Sequence, residues 1–106
     1  GQWSVGSYID DGDDETNDYN GYAFTFNADG TAVAESNSDT VNGTWAVTTS
    51  SSGLDLVLNF EIDNEDDPFD DLNDDWDVEQ FTTTQVDLKD VSGGDGSTDL
   101  LTFVKL

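Results

Sequence analysis

The chain contains no cysteine, no methionine and no histidine, a single proline, and only two basic residues, Lys89 and Lys105, in 106 positions. Without cysteine there is no disulfide, no thiolate metal site and no cysteine nucleophile. Without histidine no serine has an imidazole base beside it, and neither lysine follows a serine at Ser-x-x-Lys spacing, so nucleophilic catalysis has no recognisable machinery. Asp pairs abound, but in so acidic a chain they arise by chance, and nothing frames them as an acid–base pair for glycoside cleavage. No Gly-x-Gly-x-x-Gly opens a helix, and the glycines of Ser92-Gly93-Gly94-Asp95-Gly96 lie among carboxylates, which are hostile to phosphate. The expectation is a protein that is not an enzyme. No run of about 18 apolar residues reads as a membrane-spanning helix. No signal peptide is present, and the opening at Gly1 reads as a mature or excised domain whose export signal has been removed.

What is present is acid. Twenty-five Asp and Glu residues give a formal net charge of −23, and only five of them are Glu. Nucleic acid and anionic membrane surfaces are excluded as partners by repulsion. The partners expected instead are cations or a basic protein. Such a charge with modest hydrophobicity can mean disorder. Here three Trp, six Phe and three Tyr argue for a folded chain. The length suits one domain over residues 1–106. Abundant Asp with almost no Lys fits a secreted or cell-surface protein in salty or calcium-bearing water.

Apolar residues alternate with polar ones almost throughout, broken by Gly, Asn, Asp and Ser, so the chain reads as strands. Eight are predicted, at residues 3–9, 21–27, 31–36, 42–49, 54–62, 75–81, 84–91 and 98–105. The clearest is the fifth, where Leu54, Leu56, Leu58, Phe60 and Ile62 alternate with Asp55, Val57, Asn59 and Glu61. Asn27-Ala28-Asp29-Gly30 is a hairpin turn, and Pro68 to Leu72 suits one helical turn with Pro68 at its start. Eight consecutive strands with short links predict an antiparallel up-and-down meander barrel, because closure removes unpaired edges. A two-sheet sandwich is the competing fold. The inward set is Trp3, Tyr22, Phe24, Phe26, Trp45, Leu56, Leu58, Phe60, Trp76 and Phe103, bulky enough to fill most of the lumen. Tyr8, Tyr19 and Phe69 are candidates for exposed aromatics, with packing at the core or rim the commoner role for such residues.

Gly1-Gln2-Trp3 at the first strand resembles the Gly-x-Trp opening of lipocalins. Asp29-Gly30-Thr31, Gly43-Thr44-Trp45 and Leu101-Thr102-Phe103 resemble the small lipocalin-like domains of secreted Bacteroidota proteins. The resemblance implies a lipocalin-like barrel and export, and no shared enzymatic activity. The acidity of the loops departs from that pattern.

In a meander, successive turns alternate between the two ends. The connections after the first, third, fifth and seventh strands then hold all the acids except Asp29, Asp55, Glu79 and Asp87. One end is acidic; the other is a neutral Ser/Thr end, where function is not expected. Crowded carboxylates favour hard cations, and calcium takes six to eight oxygens from flexible Asp-rich loops. The candidate ligands are Asp10, Asp11, Asp13, Asp14 and Glu15 in one loop, and Asp63, Glu65, Asp66 and Asp67 in the other. Neither stretch matches the twelve-residue helix–loop–helix calcium pattern. The expected function is a secreted or cell-surface binding or interaction module with a calcium-binding acidic rim. Two other readings are a structural subunit of a head-to-tail extracellular assembly and a carrier of a small apolar ligand inside the barrel.

Overall fold

The computed structural model describes residues 2–50, 53–63, 67–91 and 98–106. Its strands are β1 (Gln2–Asp10), β2 (Asp13–Asp14), β3 (Ala23–Phe26), β4 (Thr31–Glu35), β5 (Thr40–Ser50), β6 (Gly53–Phe60), β7 (Asp74–Phe81), β8 (Gln85–Val91) and β9 (Thr98–Lys105). Two single turns of 3-10 helix, η1 (Thr16–Tyr19) and η2 (Pro68–Leu72), interrupt them. β2 is a two-residue tab folded back on β1, pairing Ile9 with Asp14 and Asp10 with Asp13. The other eight strands are antiparallel, each beside its predecessor in the chain, and β1 pairs with β9 to close the barrel. This is the eight-stranded up-and-down barrel that the alternation predicts, with no open edge along the closing seam.

The seam between β1 and β9 runs from Trp3 opposite Lys105 to Asp10 opposite Asp99. It slips by one residue between Val5 and Ser7. Trp3 and Val5 face inward, and the extra residue turns Tyr8 and Asp10 inward instead of Ser7 and Ile9. Tyr8 is therefore buried, 1% exposed, and packs edge-on against Tyr19 and Trp76.

Two ladders stop short. β3 meets β1 only at Gln2–Thr25 and Trp3–Phe24, and β7 meets β6 only over Asp55–Leu58. η1 and η2 pack beside β1 and β6, at the acidic end. The Asn73 side chain carries on the β6–β7 pattern: its amide oxygen accepts from the Phe60 N–H and its amide nitrogen donates to the Phe60 carbonyl. The Tyr19 hydroxyl donates to the Pro68 carbonyl at 2.6 Å, joining the two turns. Phe69 sits at the centre of this plug, with its ring 5.1–5.9 Å from those of Tyr19, Tyr22, Phe24 and Phe60. Burying aromatic rings of this size contributes about 1.5–3 kcal/mol each, which offsets the ordering of two long connections. Tyr19 and Phe69 are thus core residues, as is Tyr8.

The bulky inward set does not fill the lumen. Phe24, Leu58, Phe60, Trp76 and Phe103 are buried, while Trp3, Phe26, Trp45 and Leu56 are half-buried around a cavity of about 410 Å³ at the neutral end. The reason is the plug: Tyr19, Phe69 and Leu72 close the acidic half from the connections, and no equivalent segment among the described residues covers the other half.

Candidate functional site

The acidic end is built on the barrel's innermost apolar layer. Tyr8, Leu101, Leu88 and Trp76 are each at most 2% exposed. Side chains two apart on a strand share a face. Asp10, Asp99, Asp90 and Asp74 therefore continue the inward faces of β1, β9, β8 and β7 beyond that layer. Asp10 stands directly opposite Asp99, and Asp99 directly opposite Asp90. Like charges placed directly opposite are destabilising in a sheet. Here three such carboxylates lie on adjacent strands.

The plug adds more. Oxygens of Asp10, of Glu15 between β2 and η1, and of Asp71 in η2 all lie within 4.8 Å of one another. Glu15 Oε2 is buried without a hydrogen-bond partner. Of the two basic residues, Lys89 pairs with Glu79 at 3.6 Å, and Lys105 is at the neutral end. The rim carboxylates thus have no basic side chain to compensate them.

Their acidities record the crowding. Asp90 is pushed up to about 7 by a proton-sharing hydrogen bond with Asp74, by partial burial and by the Asp74 and Asp99 charges. Asp99 is pushed up to about 6, first by burial, then by its contact with Asp10. An Asp11 N–H donated to Asp99 Oδ1 at 3.1 Å only partly counters this. Burial and Asp10 hold both Glu15 and Asp71 above the usual carboxylate range. In each case the neighbours and burial disfavour the charged form.

The sequence-predicted ligands divide. Asp10 and Glu15 converge with Asp71, which the sequence counts as rim charge but not as a ligand. Asp11 is exposed, with a left-handed φ of 49°. Asp13 lies exposed on β2. Asp14 turns to its own loop: its Oδ1 accepts from the Thr16 N–H at 3.0 Å and the Thr16 hydroxyl at 2.6 Å, which lowers its pKa. Asp67 caps η2 by accepting from the Phe69 N–H at 2.9 Å. Asp63 is exposed, and Glu65 and Asp66 lie outside the described residues, as do the predicted Ser51–Ser52 turn and the 92–96 loop. Asp74, Asp90 and Asp99 were missed as site residues. Each stands two positions from a strongly apolar inward residue, and that spacing was the available signal.

An arrangement of this kind can accept protons or hold a hard cation, because an ionised carboxylate has acceptor oxygens and no donor. Among the described residues no helix is long and apolar enough to cross a membrane. Compared with protein-family models, curated proteins and solved structures, the chain has no significant match.

Proposed function

We propose that this chain is a non-enzymatic binding module of the cell surface or extracellular space whose acidic rim takes a hard divalent cation, calcium foremost. The observation that carries the reading is the convergence of Asp10, Glu15 and Asp71 beside the Asp99–Asp90 pair, with one Glu15 oxygen buried and unpartnered and, among the described residues, no ion pair from a basic side chain to any of them. A divalent cation would relieve the repulsion that contributes to holding Glu15, Asp71, Asp90 and Asp99 above the usual carboxylate range. Asp10 ends β1, Glu15 follows β2 and Asp71 lies in η2, so binding would tie the two connections together. Extracellular calcium modules work with dissociation constants of about 10⁻⁴–10⁻³ M, within reach of three to five carboxylates.

The test is thermal melting against calcium at constant ionic strength, with magnesium and sodium as controls. The reading expects a saturable rise in melting temperature with calcium that exceeds the rise with matched magnesium, as mass action on the folded state requires. Equal shifts with all three salts would reduce the rim to a diffuse counterion atmosphere.

A second reading, carriage of a small apolar ligand, is supported by one separate observation, the cavity of about 410 Å³ at the neutral end. Its size falls within the range of ligand pockets.

A further inference from the structure

The cavity opens away from the acids, and its chemistry is the reverse of the rim's. Trp3, Phe26, Trp45, Leu56 and Phe103 wall it, and Phe81, 63% exposed, stands at its lip. All of its lining side chains are aliphatic or aromatic, and the Trp45 indole N–H is already engaged, donating to the Asn27 carbonyl at 2.8 Å. The volume of about 410 Å³ is nearly three times the roughly 150 Å³ that suffices for one benzene. It suits two fused rings or a medium-length alkyl chain.

Lys105 stands at this mouth. It ends β9 directly opposite Trp3 and two positions beyond Phe103, so it keeps the inward register as the strand leaves the barrel. Its Nζ lies 5.7 Å from the centroid of the Trp3 ring that walls the cavity. Lys89 is paired with Glu79, whereas no carboxylate among the described residues forms an ion pair with Lys105. One of only two basic side chains in a chain of net charge −23 is thus placed, with no ion-pair partner among the described residues, on the aromatic edge of an apolar pocket.

We propose that the cavity takes an amphiphile with an apolar body and a single anionic head, a carboxylate or sulfonate, which docks on Lys105. This rests on the carrier reading and adds the charge of the head group. Distance reconciles it with the net charge. The rim acid Asp99 is six residues from Lys105 along β9, about 20 Å at roughly 3.3 Å per residue and so more than two Debye lengths of about 8 Å in physiological salt, whereas the ammonium would be in contact with the head group. Of the acids nearer the mouth, Asp29 is folded onto the Thr31 N–H and hydroxyl at 3.0 and 2.7 Å. Asp55 alternates with Leu54 and Leu56 and faces outward.

Two dyes with one aromatic skeleton separate the claims: 1-anilinonaphthalene-8-sulfonate, which is anionic, and N-phenyl-1-naphthylamine, which is neutral. Both are titrated by fluorescence into the wild-type chain, Lys105→Gln and Lys105→Arg at fixed physiological ionic strength. The expectation is one saturable site for each dye, with Lys105→Gln weakening the sulfonate about three- to fivefold, as for a partly exposed ion pair, while the neutral dye is unchanged and Lys105→Arg is near wild type. The substitution changes the net charge by one unit in 23, so a uniform field cannot produce that selectivity. If neither dye binds saturably, the carrier reading and the head-group assignment both fall. If both bind and Lys105→Gln weakens neither, the carrier reading stands and the head-group assignment falls. Equal weakening of both dyes would make Lys105 a support for the Trp3 wall, and would also overturn the assignment.

Discussion

Asp90 and Asp99 face each other directly across β8 and β9, each two residues from a fully buried leucine, Leu88 and Leu101, and each pushed well above the ordinary carboxylate range. Two like charges in this position oppose folding unless one is protonated or a cation lies between them. The rest of the acidic end follows from that choice, because Asp10 and Asp74 extend the same inward arc and no basic side chain answers it.

The first consequence is an inverted pH dependence. Both carboxyls hold their protons more tightly in the folded chain than in the unfolded one, so between about pH 4 and pH 7 the folded state binds more protons and stability falls as pH rises. Their contribution is complete below the unfolded-state values near pH 4 and is lost above pH 7. Asp14 and Asp29, whose pKa values hydrogen bonds from Thr16 and Thr31 lower, act in the opposite sense but below this window. In chelator at fixed ionic strength, the melting temperature at pH 5 is expected to exceed that at pH 8 by about 5 °C or more. Saturating calcium should close the gap by stabilising the ionised form at pH 8. A melting temperature that climbs from pH 5 to pH 8 in chelator would contradict the crowding.

Asp90→Asn isolates the pair from the general charge. The amide keeps the shape of the protonated acid and can donate to Asp74 at every pH. In chelator at pH 7.5 the variant should melt above wild type, and the step between pH 5 and pH 8 should shrink. Differential scanning calorimetry on both proteins reads both effects. An unchanged step would assign the pH dependence to the net charge as a whole.

Asp71→Asn separates cation binding from proton binding. Asp71 lies in the Asp10–Glu15–Asp71 group, whereas Asp90 does not. Losing one of three converging carboxylates should raise the calcium midpoint by about tenfold or more, while Asp90→Asn alters it less. Calorimetric titration with calcium decides this. Equal loss in the two variants would spread the ion over the whole arc.

The strands and the end that gathers the acids were legible because Leu54, Leu56, Leu58 and Phe60 alternate so plainly, and because a meander must alternate its turns. The bulge near Gly6 was not legible. One inserted residue reverses the parity of the rest of β1, and that alone moves Tyr8 to the core and Asp10 to the inner rim. Asp74, Asp90 and Asp99 escaped for a related reason. A period-two reading stops where the apolar residues stop, and it holds no information on which strand ends stand side by side. The cavity was hidden by the opposite error, since ten bulky inward residues suggest a filled lumen until Phe69, Leu72 and Tyr19 are seen to fill only one half of it.

The plug itself is open to a small perturbation. Tyr19 is 1% exposed and its hydroxyl donates to the Pro68 carbonyl at 2.6 Å across 49 residues of chain. Tyr19→Phe keeps the ring contacts with Tyr8 and Phe69 and removes only the donor. The expected cost is about 1–2 kcal/mol, because the Pro68 carbonyl loses its partner in a part-buried setting. Urea denaturation monitored by tryptophan fluorescence measures it, and a cost near zero would mean that water replaces the hydroxyl and that ring packing alone holds η1 to η2.

At the β5–β6 seam the constraint is space rather than charge. Gly43 pairs with Phe60, and a Cβ added there would lie 2.5 Å from the Asn59 carbonyl oxygen and 2.8 Å from the Phe60 Cα. Both obstacles are backbone, so no rotamer change relieves the overlap; β6 must move, and it carries Leu58 and Phe60 into the core. Asn73 grips the Phe60 N–H and carbonyl on the other side, so a displaced Phe60 also strains the link to η2 and hence to Asp71. Gly43→Ala should therefore cost about 2–3 kcal/mol in denaturant unfolding, and should weaken calcium binding although the substitution touches no carboxylate. A full loss of stability with calcium affinity intact would uncouple the β6 seam from the acidic end.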